Sequence, residues 1–236
     1  MSGRVRLHVN VDHVATLRNQ RDTPYPNVVA AARVCLAAGA DGITAHLRED
    51  RRHIRDADID ALRAIDMPVF NLECAATDEM VAIAKRVRPD CVTLVPERRE
   101  ERTTEGGLDV IGGGAALASR VKALLDAKLR VSLFIAADPA QLRASKALGV
   151  QQIELHTGEY AHTLSLALPQ LAAGAKLGAE LGLEIAAGHG LTTANVPPLL
   201  RAAPEIVELN IGHALVCDAI FLGIEGAVRA MRAAMG

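Results

Sequence analysis

Short apolar runs recur along the chain, and most give way to polar or ionisable side chains where they end. Runs of that length read as buried strands, and the longer stretches between them carry a helical period. Strand ends are expected near Val11, His46, Cys74, Val95, Ile135, His156, Ala187 and Asn210. Successive ends lie about 20 to 40 residues apart, the span of one strand–helix unit. Between them, Val28, Ala32 and Leu36 repeat at i, i+4, i+8. Met80, Ile83 and Val87, and again Leu117, Val121 and Leu124, repeat at i, i+3, i+7. Thr77 ahead of Asp78 and Glu79, and Asp138 ahead of Pro139, mark helix starts. Small turns at Ala38-Gly39-Ala40-Asp41, Arg88-Pro89-Asp90, Leu148-Gly149-Val150 and Ala203-Pro204 mark stops.

Eight such units without linker composition between them predict one α/β domain over residues 1–236, a (β/α)8 TIM barrel of parallel strands. The competing architecture is an open, doubly wound sheet, which on binding a dinucleotide carries a Gly-rich turn after its first strand. Here Asp12-His13-Val14-Ala15 follows that strand and no G-x-G-x-x-G occurs. Two connections look long, residues 18–26 and 96–114. The second holds Arg98, Arg99, Arg102, Thr103, Thr104 and several glycines, and reads equally as a lid or as a solvated excursion.

Composition narrows the functional classes. Half of the residues are hydrophobic but aromatics make up only 2% and Trp is absent, so the core must be built from Ala, Val, Leu and Ile. The formal net charge is −2 with basic residues spread along the chain, which leaves no footprint for nucleic acid and no polybasic membrane patch. Cys35, Cys74, Cys91 and Cys217 form no C-x-x-C pair, a usage that fits a reducing compartment. No apolar run approaches the ~18 residues of a membrane span. The first residues, Met-Ser-Gly-Arg-Val-Arg, run straight into a strand with no room for the apolar segment of a signal peptide. A soluble cytoplasmic protein is expected.

Barrel enzymes draw their active sites from the C-terminal ends of several strands. Those ends carry Asn10, Asp12 and His13; His46 and Arg48; Asn71 and Glu73; Glu154 and His156; His189; and Asn210 and His213. Residues 43–53 are the densest example, an apolar run that turns at His46 into imidazoles, guanidinium groups and carboxylates and ends at His53. Any one strand-end histidine is as readily a hydrogen-bonded structural residue, and Glu73 or Glu154 could be half of an internal ion pair. Glu73, set among Phe70, Leu72 and Cys74, should have a raised pKa that suits acid–base work. Gly188-His189-Gly190 and Asn210-Ile211-Gly212-His213, the latter opening a helix, suit phosphate binding by backbone N–H groups, although the glycines could simply make tight turns. Arg48, His53 and Thr103 could form a second anion site. There is no H-E-x-x-H or H-x-H, so a metal site would have to assemble from different strands. No Lys falls at a predicted strand end, which argues against Schiff-base chemistry.

With these residues in view, the chain resembles the pyridoxine 5'-phosphate synthase family. The resemblance is carried by Asn10-Val11-Asp12-His13-Val14-Ala15-Thr16-Leu17-Arg18, residues 41–54, Asn71-Leu72-Glu73, Leu94-Val95-Pro96-Glu97, residues 103–108 and 131–135, Glu154-Leu155-His156-Thr157-Gly158, and residues 188–191 and 208–214. It implies a barrel with extra helices, a homo-octamer, and no metal or organic cofactor. It implies two phosphorylated substrates, 1-deoxy-D-xylulose 5-phosphate and 3-amino-2-oxopropyl phosphate, condensed with loss of phosphate and water. By position, Asn10, Arg21, Gly190, Gly212 and His213 would hold the amino ketone, and Asp12, His13, Arg48, His53 and Thr103 the sugar phosphate. His46 and Glu73 would accept protons, His189 would donate one, and Glu154 would stabilise the transition state.

Overall fold

The computed structural model describes residues 4–21, 23–97, 106–163 and 166–236. Eight strands form a closed parallel barrel: β1 (Arg6–Asn10), β2 (Gly42–His46), β3 (Phe70–Ala75), β4 (Cys91–Val95), β5 (Val131–Ile135), β6 (Gln152–His156), β7 (Glu184–Gly188) and β8 (Ile206–Ile211). Each pairs with its neighbour in sequence, and β1 closes on β8 with His8 beside Asn210. Every strand ends within one residue of the position read from the sequence.

Around the barrel, among the described residues, lie α1 (Asp12–Asn19), α2 (Val28–Ala37), α3 (Asp56–Arg63), α4 (Asp78–Val87), α5 (Val110–Asp126), α6 (Pro139–Ala147), α7 (Gly158–Thr163), α8 (Leu168–Glu180), α9 (Val196–Ala202) and α10 (His213–Met235). The predicted starts are real caps. Thr77 accepts from Met80 N at 3.4 Å, and Asp138 accepts from Ala140 N at 2.9 Å and Gln141 N at 3.0 Å. Neither long connection has its expected bounds. Arg18 belongs to α1, which follows β1 at once because Asn10 Oδ1 accepts the Asp12 N–H at 2.8 Å and Asp12 brings negative charge to the helix start. The later connection ends at Asp109, which caps α5 through Gly112 N at 2.9 Å. Residues 98–105, and with them Thr103 and part of the expected lid, lie outside the described residues.

Leu7, Val9, Ile43, Leu72, Leu94, Leu133, Ile153 and Leu209 point outward from the strands and are sealed under the helices. The inside of the barrel is different. Barrels are usually filled with branched apolar side chains, yet here buried and part-buried polar groups bond across the lumen between strands that are not neighbours in the sheet. Thr44 Oγ1 donates to Asn210 Oδ1 at 2.9 Å, Gln152 Nε2 to Glu208 Oε1 at 3.1 Å, and Arg6 to Glu184. Asn71 joins this layer by accepting from Thr93 Oγ1 at 2.9 Å. The apolar core therefore sits between sheet and helices, while the lumen is a polar scaffold that leads up to the C-terminal mouth. Among the described residues no helix is long and apolar enough to cross a membrane.

Candidate active site

A cavity of about 760 Å³ opens at the C-terminal mouth. It is lined by Asn10, Asp12, His13, His46, Arg48, His53, Glu73, Glu154, His189, Gly190, Gly212 and His213. Side chains read from six different strand ends therefore converge on one space. Arg21 does not join them; it lies on the exposed turn after α1. Thr103 is outside the described residues.

One wall is a hydrogen-bonded chain of acids and amides. Asn10 Nδ2 donates to Asp12 Oδ2 at 2.9 Å and lies 3.4 Å from Glu73 Oε2. Asp12 Oδ1 accepts the His46 N–H at 2.8 Å, tying α1 to the end of β2. Burial, then the charges of Glu154 and Asp12, push the Glu73 carboxyl well above the usual carboxylate range against the pull of Asn10. Glu154 is pushed up to about 8 by burial and by Glu208, although Asn210 Nδ2 donates to it at 2.7 Å. Gly188 is required beside it, since a Cβ there would stand 2.1 Å from Glu154 Oε1.

The imidazoles come in pairs. His46 and His53 have ring centroids 5.8 Å apart, His13 and His213 5.0 Å, and His156 and His189 5.1 Å. Burial lowers the pKa of His13 and of His53, with the Asp12 charge opposing it in both. His156 is lowered to about 4 by burial and by its neighbour His189. His46 has a partner that sequence reading did not single out: its Nε2 lies 2.8 Å from Glu97 Oε1, with only 6% and 5% of the two side chains exposed. Glu97 Oε2 also accepts the Glu49 N–H at 3.0 Å. Burial raises the Glu97 carboxyl, but the bonds to His46 and to the Glu49 N–H oppose it, and the pKa is held below the usual value. In sequence Glu97 looks like one more charge at the head of a polar loop.

Two regions of the cavity suit anions. At the first, α10 begins at Gly212 with no side-chain cap, so its leading N–H groups are open to the cavity along with His213 and Ala214. Beside it, Gly190 and Leu191 line the cavity, and among the described residues neither N–H donates to a protein acceptor. At the second, beyond the end of β2, stand the buried guanidinium of Arg48 and the ring of His53. Among the described residues Asp12, His46 and His53 also bring potential metal-ligand atoms within 4.8 Å of one another. The bonding suits an anion better. His53 Nδ1 accepts the Ile54 N–H at 2.9 Å, so the neutral ring carries its proton on Nε2 and is a donor there.

Comparison with known proteins agrees with this architecture. The family described as "Pyridoxal phosphate biosynthesis protein PdxJ" matches residues 7–236. The pyridoxine 5'-phosphate synthase of Xanthobacter autotrophicus is 58% identical over 98% of this chain and 93% of its own length. That of Rhodospirillum rubrum is 54% identical over 100% and 96%, and that of a Synechococcus species 53% identical over 98% and 98%. Among solved structures, thiamine phosphate pyrophosphorylase from Pyrococcus furiosus superposes with a TM-score of 0.64 at 15% identity, covering 98% of this chain and 95% of its own. Phosphoribosyl anthranilate isomerase from Thermus thermophilus gives 0.63 at 14% identity over 98% of each chain. These two likenesses speak to the barrel alone. The full-length relatives and the family match together decide the assignment: the chain belongs to the PdxJ family of pyridoxine 5'-phosphate synthases.

Proposed function

We propose that the chain condenses 1-deoxy-D-xylulose 5-phosphate with 3-amino-2-oxopropyl phosphate to pyridoxine 5'-phosphate, releasing phosphate and water by His/Glu acid–base catalysis. The observation that carries this reading is that Glu73, His46 and His189 line one cavity together with two groups of donors suited to anions. Ring construction from an amine and a ketose requires imine formation, dehydration, elimination of phosphate and an aldol-type closure. Every one of those steps moves a proton, so groups on both sides of the intermediate are needed.

The residues divide accordingly. The open N–H groups near Gly190, Gly212 and His213, with Asn10, take the phosphate of the amino ketone, which survives into product. Arg48, His53, His13 and Asp12 take the sugar phosphate, whose phosphate is eliminated with cleavage of its C–O bond. Glu73, its pKa raised by burial and by the charges of Glu154 and Asp12, takes up and returns a proton. His46, whose Nε2 faces Glu97, offers Nδ1 as a second acceptor. His189 donates to the leaving oxygen, and Glu154, carrying a proton up to about pH 8, hydrogen-bonds charge that develops beside it.

The direct test mixes the purified protein with both substrates and follows pyridoxine 5'-phosphate and inorganic phosphate together. Equal amounts of the two are expected, and the absence of both from a folded protein that binds phosphate esters would end this reading. Arg48→Ala should raise KM for the sugar phosphate at least about tenfold and that for the amino ketone by less than about threefold. Equal losses in steady-state kinetics would sink the assignment of the two regions. Glu97→Gln removes the carboxylate that holds His46. It should lower kcat about tenfold while both KM values stay within about threefold. A kcat unchanged within about twofold alongside a lowered melting temperature would make Glu97 a structural residue only.

A further inference from the structure

The turn after β7 is held from behind by residues that do not line the cavity. Its three successive carbonyls are all engaged on that side. Gly188 O accepts the Thr157 N–H at 2.9 Å and lies 2.7 Å from Thr157 Oγ1, and His189 O lies 2.6 Å from the same hydroxyl. Gly190 O accepts Asn195 Nδ2 at 3.1 Å. Asn195 is itself fixed, because its Oδ1 accepts the Thr192 N–H at 2.7 Å and its carbonyl accepts the Tyr160 hydroxyl at 2.7 Å. Thr157, Tyr160 and Asn195 are all buried.

These bonds set the conformation of the turn. His189 has φ 84° and Gly190 φ 75°. A side-chain-bearing residue enters that left-handed region only when its surroundings constrain it. In a trans peptide the N–H points away from the C=O. Drawing the carbonyls of residues 189 and 190 toward Thr157 and Asn195 therefore turns the N–H groups of Gly190 and Leu191 the other way. Both of those residues line the cavity, and among the described residues neither N–H has a protein acceptor.

We propose that Thr157 and Asn195 are positioning residues that lock the His189–Gly190 turn in its left-handed form, so that the Gly190 and Leu191 N–H groups are presented to a phosphate monoester and the His189 ring is set beside it. Neither residue touches substrate. The inference rests on the proposed reading of this end of the cavity as the site of the amino ketone's phosphate.

Inorganic phosphate is the probe, titrated calorimetrically into the full-length protein, alongside steady-state kinetics and melting temperature. Thr157→Val keeps the shape and removes the hydroxyl. It should weaken phosphate binding and raise KM for the amino ketone by about tenfold each, with KM for the sugar phosphate changed less than about twofold. Thr157→Ser, which keeps the hydroxyl, should restore both to within about twofold. Wild-type protein that binds no phosphate removes the anion site and the functional reading together. Binding by wild type with equal binding by Thr157→Val overturns the positioning role alone. So does a variant whose melting temperature falls while both KM values rise alike, since that is a merely structural effect. Should Thr157→Val not fold, Asn195→Asp carries the same comparison, because it keeps the acceptor for Thr192 and loses the donor to the Gly190 carbonyl.

Discussion

Replacing Glu73 by Gln should lower kcat by about 10³-fold while inorganic phosphate still binds. The amide has the same shape and can still accept from Asn10 Nδ2, 3.4 Å from the carboxylate it replaces. What disappears is the capacity to take up and release a proton. Stability should move the other way. Burial and the charges of Glu154 and Asp12 raise the Glu73 pKa, so the folded state holds that proton more tightly than the unfolded chain does. A raised carboxyl contributes stability at low pH and loses it as pH climbs from the ordinary carboxylate range through the raised value. Glu154, pushed up to about 8, acts in the same direction. The melting temperature of the native protein is therefore expected to fall between about pH 5 and pH 8, and Glu73→Gln should flatten that fall and melt higher at the upper end. Rate measurements and thermal melts on one preparation check both halves. Turnover within tenfold of the native enzyme would remove Glu73 from the chemistry, and a lowered melting temperature would assign the loss to the fold.

The largest expected loss of stability belongs to Arg18→Met. Arg18 is 7% exposed and its guanidinium grips Asp58 through two bonds of 2.5 and 2.9 Å. It also donates to His53 O at 3.0 Å, beside Asn19, which reaches the same carbonyl at 2.9 Å. Removing the guanidinium leaves the largely buried Asp58 carboxylate, whose side chain is 14% exposed, with the Arg55 N–H at 2.8 Å but without the Arg18 counter-charge, and costs about 3 kcal/mol. In a chain of this length that lowers the melting temperature by on the order of 10 °C. The double change Arg18→Met with Asp58→Asn should recover much of the loss, since the amide leaves no unpaired charge and keeps an oxygen for the Arg55 N–H that Asp58 accepts at 2.8 Å. Calorimetry of the two variants decides the matter, and a double variant no more stable than the single one would mean that the pair's charge is not the cause. Because α1 thereby anchors the loop that carries His53, KM for the sugar phosphate should rise in the single variant as well.

What could be read from sequence and what could not divide along a physical line. Strand ends and caps are local. Thr77 and Asp138 announce their helices within a few residues, and His46, Glu73, Glu154 and His189 each stand where an apolar run meets polar side chains. Once eight such units imply closure, those ends must share a mouth, and twelve of the fourteen expected site residues do line one cavity. Pairings made only by closure had no local signal. Glu97 meets His46 across 51 positions, and Arg18 meets Asp58 across 40. The expected loop at residue 18 concealed a helix, because its first turn is stabilised by Asn10, a strand residue. The polar lumen was half legible. His8 and Asn10, Asn71 and Glu73, and Gln152 and Glu154 alternate with apolar residues, but nothing local says which of them will bond across the barrel.

That lumen also bears on how the chain can change over generations. Thr44, Asn210 and Glu154 form one hydrogen-bonded string, and Asn71 with Thr93 lies against it. Losing any one of them alone strands a buried donor or acceptor, whereas the aliphatic shell outside the strands can trade Leu, Ile and Val piecemeal. To natural selection the string therefore behaves as a single inherited character. Its members change together as matched sets or stay as they are, and the shape of the mouth above is kept while the outer wall drifts.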